Sequence, residues 1–129
     1  MFCVYMPCDN GTIDNLHTYI DILSQISAMC TKYNAEHVCI GGDMNVDLSR
    51  IRSQNTYALK QFIVDEQLHF VLGSQNSDVS HTYVSLSSNA HTTIDHFILS
   101  KYLCDNVHKY AVLDNIDNPS DGVLSLVGR

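Results

Sequence analysis

Apolar positions along the chain switch between a strand-like and a helix-like spacing, and the switches set out the elements. Residues 2–6 are rich in strand formers and Pro7 stops them, which predicts a strand opening onto a loop over 8–12 with turn chemistry at Asp9, Asn10 and Gly11. Leu16, Ile20, Leu23, Ile26 and Cys30 then recur at steps of three and four, the pattern of a long amphipathic helix ending near Tyr33 and Asn34. Val38, Cys39 and Ile40 form a short apolar run that reads as a buried strand, broken by Gly41 and Gly42. After an irregular polar stretch over 47–55, Leu59, Phe62 and Ile63 mark one face of a second helix, and Leu68, Phe70, Val71 and Leu72 a short strand. Residues 73–80 read as a loop. Residues 81–84 and 92–99 read as two strands joined by the turn residues Ser87, Ser88 and Asn89. Tyr102, Leu103 and Cys104 suggest a helical turn, 107–113 a strand, 114–121 an acidic loop around Pro119, and 123–127 a final strand. The order predicts one α/β domain over 1–129, a sheet covered by helices with antiparallel hairpins added.

Composition narrows the function classes. A chain of 129 residues with 45% hydrophobic content suits a single globular core. No apolar run approaches the length of a membrane span, and residues 1–7 lack the basic region and long apolar stretch of a signal peptide, so an intracellular protein with no membrane partner is expected. Five cysteines without a CxxC pair point to thiols in a reducing compartment rather than disulfides or zinc. The formal charge of −7 argues against tight non-specific DNA binding by this chain alone, yet leaves room for chemistry in which a divalent ion supplies positive charge to a phosphate. The histidines look scattered, with His91 and His96 straddling one strand on different faces, and do not suggest a metal centre.

The chemistry is concentrated in residues 37–47, His-Val-Cys-Ile-Gly-Gly-Asp-Met-Asn-Val-Asp. Taken alone, this stretch reads first as a strand followed by an Asx-rich turn. If the backbone stays extended, Asp43 and Asn45 leave one face just past the carboxyl end of a strand, where open α/β sheets place their ligands. A carboxylate and a neutral amide there suit a phosphoryl group: one holds a cation or a water, the other donates without adding like charge.

Four stretches, in order, resemble motifs of the endonuclease/exonuclease/phosphatase superfamily, and most of all the endonuclease domain of LINE-type (non-LTR) retrotransposons. Val4-Tyr5-Met6-Pro7 is similar to its strand ending in tyrosine and proline. Gly41-Gly42-Asp43-Met44-Asn45 resembles its GDxN motif. Residues 93–100, Thr-Ile-Asp-His-Phe-Ile-Leu-Ser, preceded by His81-Thr82-Tyr83, resemble its "T…IDYxL" hairpin. Ser120-Asp121-Gly122 with 123–126 resembles its closing "SDHxPL" strand. The chain matches only the C-terminal part of the family domain, a little over half. The resemblance implies a partial four-layer α/β/β/α sandwich of DNase type without its N-terminal strands. It implies Tyr5 beside the scissile phosphate, Asp43 holding or activating the attacking water, Asn45 donating to the phosphoryl group, and Asp95 orienting a catalytic histidine. Asp121, with Asp43, would bind Mg²⁺ or Mn²⁺, and DNA or another phosphodiester would be the substrate.

Two departures qualify that expectation. Gly122 stands where the family has its histidine, so Asp95 loses its partner; His81 or His91, near the hairpin, is the candidate replacement. The family's metal-binding glutamate has no counterpart, since the only glutamates, Glu36 and Glu66, fall before the central strand and on the second helix. Metal binding is therefore expected to be weak, and activity poor or absent. The other outcome is a transposon-derived remnant or interaction module that keeps the fold without the chemistry. A sheet lacking its neighbours should also expose an edge and an apolar face, to be covered by an N-terminal segment or a protein partner.

Overall fold

The computed structural model describes residues 1–48, 53–71, 83–84, 91–92, 94–115 and 118–128, of which 83–84, 91–92, 108–115 and 118–128 are described as backbone only. In chain order the elements are β1 (Phe2–Tyr5), α1 (Ile13–Lys32), β2 (Cys39–Asp43), α2 (Gln54–Asp65), β3 (Leu68–Phe70), β4 (Tyr83–Val84), β5 (His91–Thr92), β6 (Asp95–Ser100), α3 (Lys101–Asp105), β7 (Val107–Asn115) and β8 (Asn118–Gly128). Four strands form one mixed sheet in the order β1-β2-β6-β3, while β4-β5 and β7-β8 are separate two-stranded ribbons. β1 and β2 run parallel, joined by α1 as the crossover that parallel strands require. β6 returns antiparallel to β2 and to β3.

Both long helices begin where their caps dictate. Thr12 accepts from the Asn15 amide at 3.2 Å and Ser53 from the Thr56 amide at 3.2 Å, each satisfying one orphan donor of a first turn. Asn55 Nδ2 donates to Asn15 Oδ1 at 2.9 Å near both amino ends, and Ser27 donates to Glu66 Oε1 near both carboxyl ends, so the helices lie parallel. Tyr19, Leu23 and Ile26 of α1, with Leu59, Phe62 and Ile63 of α2, fill the space over one face of the sheet. That face carries Phe2, Val4, Ile40, His96, Ile98, Leu68 and Phe70, which the register aligns across the four strands. The opposite face carries Cys3 and Tyr5, then Cys39, Gly41 and Asp43, then Asp95, Phe97 and Leu99. A second apolar cluster of Leu99, Val71 and Val107 lies at one end of it. Among the described residues β1 pairs only with β2.

Several expectations are corrected. Gly41 and Gly42 do not break the central strand; they continue it, because nothing larger fits. A Cβ at Gly42 would sit 2.1 Å from the Val4 carbonyl oxygen, at a φ of +138°, and one at Gly41 would sit 2.8 Å from the Phe97 ring. Residues 92–99 are not one strand: Thr92 pairs with Tyr83 in the β4-β5 hairpin, and β6 begins at Asp95. The 114–121 loop is largely strand, with β7 running to Asn115 and β8 starting at Asn118. Here backbone pairing outweighs the turn preference of Pro119, whose missing N–H is tolerated on a ribbon with open edges. Leu72, the 73–80 loop and the turn at 87–89 lie outside the described residues. All five cysteines are free, and among the described residues no helix is long and apolar enough to cross a membrane.

Candidate active site at the carboxyl ends of β1 and β2

The sheet register places three of the singled-out side chains in one line. Tyr5 of β1 is the partner of Asp43 on β2, and Asp43 is the partner of Asp95 on β6. Partners in a ladder point to the same face, so phenol, carboxylate and carboxylate share the face opposite the helices, their backbones about 5 Å apart from strand to strand. Tyr5 is 81% exposed, while Asp43 and Asp95 are half-buried. Alternate residues of a strand face opposite ways, so Asp95 points away from its neighbour His96, which is fully buried on the helix side.

Asn45 does not continue this line. The backbone leaves the extended region after β2, and Asn45 has a φ of +51°, a left-handed conformation that asparagine tolerates better than most residues. Asp43 Oδ1 accepts from the Asn45 amide at 2.9 Å, an Asx turn, so the expectation that 43 and 45 leave one face of an extended chain fails. The Asn45 carboxamide is instead turned back to β1, where Nδ2 donates to the Met6 carbonyl at 2.5 Å. The residue still meets the site, but through a turn rather than a strand. Met6 N–H donates to the Asp43 carbonyl and Met44 N–H to the Ile94 carbonyl, each at 2.8 Å, so the ends of all three strands are tied together.

Two side chains that pattern reading did not single out support this turn from beneath. The Tyr19 hydroxyl donates to the Met44 carbonyl at 2.9 Å, and His96 Nε2 lies 2.8 Å from the Val46 carbonyl. Burial raises the Tyr19 phenol pKa well above its ordinary 10.0, and the Asp43 charge raises it further. The signal available in the sequence was weak: a tyrosine on the apolar stripe of α1 and a histidine in step with Ile98. Met44, Val46 and Leu48 are buried in alternation with half-buried Asn45 and Asp47, which seats the segment on the core.

The line is an oxygen-only donor set. Asp43 Oδ2 has no hydrogen bond among the described residues, and Asp95 faces it from the next strand. Two carboxylates are what Mg²⁺ commonly takes from a protein when waters and substrate oxygens complete its octahedron. Among the described residues no group of three or more histidine, cysteine or acidic side chains is placed to hold a metal ion; by donor type the two carboxylates suit a hard cation. Asp121 and Gly122 belong to β8, but their side chains, like those of His81 and His91, lie outside the described residues. Glu36 is exposed and Glu66 caps α2, bonded to Ser27 at the far end of the helices, so neither joins the line. Burial raises the thiol pKa values of Cys30, Cys39 and Cys104, which argues against thiolate chemistry at these three.

No family model matches the sequence, and no curated protein matches it. Solved structures do. The endonuclease domain of TRAS1, a telomere-specific non-LTR retrotransposon, superposes with a TM-score of 0.67 at 15% identity over 84% of this chain and 51% of that one. An endonuclease/exonuclease/phosphatase family protein from Leptotrichia buccalis gives 0.60 at 19% identity over 84% and 43%. A mannosyl-6-phosphatase from Bacteroides thetaiotaomicron gives 0.56 at 18% identity over 93% and 48%. The chain therefore spans about half the length of the structures it resembles. Over that length it has the DNase-like α/β fold of the endonuclease/exonuclease/phosphatase proteins.

Proposed function

We propose that this chain is part of a divalent-metal-dependent phosphodiesterase of the retrotransposon-endonuclease type, acting on DNA or a related phosphodiester, and that alone it is weakly active or inactive. The observation carrying this reading is the Tyr5–Asp43–Asp95 line across three strands, with the Asn45 turn at its end. In this reading the exposed Tyr5 hydroxyl donates to a non-bridging phosphate oxygen. Asp43, whose Oδ1 is engaged by the Asn45 amide, uses Oδ2 to hold the attacking water and accept its proton. Asn45 spends one N–H on Met6 and keeps the second for a phosphoryl oxygen. Asp43 and Asp95, with Asp121 as the family resemblance suggests, would hold Mg²⁺ or Mn²⁺. When bound, such an ion neutralises charge on the phosphate.

Gly122 offers no imidazole. Removing one preorganised group of that kind typically costs about two to three orders of magnitude in rate. The same gap, with only two described carboxylates in line, favours a second reading: a remnant or interaction module in which the fold outlasts the chemistry. Nicking of supercoiled plasmid with Mg²⁺ or Mn²⁺ separates the two. Slow nicking that Asp43→Ala abolishes supports the enzyme. Absence of nicking, together with absence of Mn²⁺-induced broadening at Asp43 and Asp95, overturns it in favour of the module.

A further inference from the structure

We infer that Tyr19 and His96 are positioning residues, holding the backbone of residues 44–46 in the turn from which Asp43 and Asn45 are presented; this rests on the functional reading of that site. The two side chains come from different layers, Tyr19 from α1 and His96 from β6, and both are completely buried. They bind the carbonyls immediately before and after Asn45, at 2.9 and 2.8 Å. A carbonyl only accepts, so His96 Nε2 carries the proton and donates it.

Neither residue reaches the substrate face. His96 is in register with Gly42 on the helix side of the sheet, and Tyr19 lies beneath Met44 in the same core. What they contact is the turn in which Asn45 has a left-handed φ; Asn34 and Gln67 share that conformation, but each follows directly on a helix end, whereas Asn45 follows a strand. Phenylalanine at 19 and an aliphatic residue at 96 would fill the same volume without the desolvation of a buried hydroxyl and imidazole. The Tyr19 hydroxyl and His96 Nε2 meet the Met44 and Val46 carbonyls. Together with the Met44, Asn45 and Asn45 side-chain bonds to Ile94, Asp43 and Met6, five hydrogen bonds fix three residues. The bland alternative is that Tyr19 and His96 merely add stability to the core, in which case their loss loosens the whole chain evenly.

The test compares the full chain with Tyr19→Phe, His96→Leu and His96→Gln, the last keeping an N–H near the reach of Nε2. The readouts are backbone amide exchange and the Mn²⁺ concentration that half-broadens the Asp43 and Asp95 signals. Tyr19→Phe and His96→Leu are expected to raise exchange at the Asn45 amide by about tenfold relative to the amides of α2, the equilibrium worth of one neutral hydrogen bond. His96→Gln returns it to near the parent value. The Mn²⁺ midpoint rises with the exchange and returns with it. Exchange that increases evenly over the chain, or a glutamine variant no better than leucine, overturns the inference. If the parent shows no Mn²⁺ broadening, the metal reading of the site falls, and the exchange comparison still decides whether the two residues hold the turn.

Discussion

A methyl group at Gly42 would meet the Val4 carbonyl oxygen at 2.1 Å, whereas one at Gly41 would meet only the Phe97 ring at 2.8 Å. The first obstacle is backbone of the neighbouring strand and cannot turn aside; the second is a side chain that can. Gly42→Ala is therefore expected to destabilise by about 2–4 kcal/mol, from a clash added to an unfavourable φ. Gly41→Ala should cost about 1–2 kcal/mol in urea unfolding. At Asp43 the expectation reverses. Its side chain is half-buried and accepts one hydrogen bond, so Asp43→Ala should cost only about 1 kcal/mol of stability while removing any Mn²⁺-dependent nicking. Gly122→His should restore little nicking, because an imidazole cannot replace the metal-binding glutamate that the resemblance implies and that has no counterpart among Glu36 and Glu66. Tyr19 contributes in another way. Its phenol pKa is raised in the folded state, so its stabilisation is complete below about pH 10 and is lost as the pH rises beyond that. The stability difference between the parent and Tyr19→Phe should narrow above pH 10 in alkaline urea melts.

At the scale of elements, the parallel pair α1 and α2 covers the face of the sheet opposite the site. Their amino ends are coupled through Asn15 and Asn55, and each start is fixed by a hydroxyl cap at Thr12 or Ser53. Thr12→Ala and Ser53→Ala should each lower stability by about 1 kcal/mol. The Thr12 effect should reach further into the site, since α1 carries Tyr19 to the 44–46 turn. The apolar stripe of α1 was legible in the sequence because steps of three and four admit no other regular structure. The limits of β2, β6 and β8 were not, because strand limits follow from pairing. Gly42 is strand because Val4 and His96 lie on either side of it in register, a relation no local pattern contains.

For the whole molecule, the side of β1 that has no strand partner among the described residues is the feature with consequences. The strand Phe-Cys-Val-Tyr carries no charge, proline or bulge, the usual devices against edge-to-edge pairing, and Tyr5 and Cys3 are exposed on it. Self-association that rises with concentration in sedimentation velocity is therefore expected, and Cys3→Lys should reduce it without disturbing the core. A sharp two-state melt from a strictly monomeric chain would count against an uncovered edge. We propose that a preceding segment or a partner strand covers it, in keeping with structures that are about twice as long.

Period and composition by themselves determined the α/β class, both long helices and the cluster of chemistry at 43–45, because these depend on spacing and residue type within a short window. The order of four motifs pointed to the DNase-like fold, which solved structures at 15–19% identity share over about half their length. Only the tertiary structure decided that Tyr5, Asp43 and Asp95 stand in one line, that Asn45 reaches the site through a left-handed turn, and that Tyr19 and His96 lie beneath it. Those relations join residues tens of positions apart, and they are set by strand register and by which buried donor meets which carbonyl.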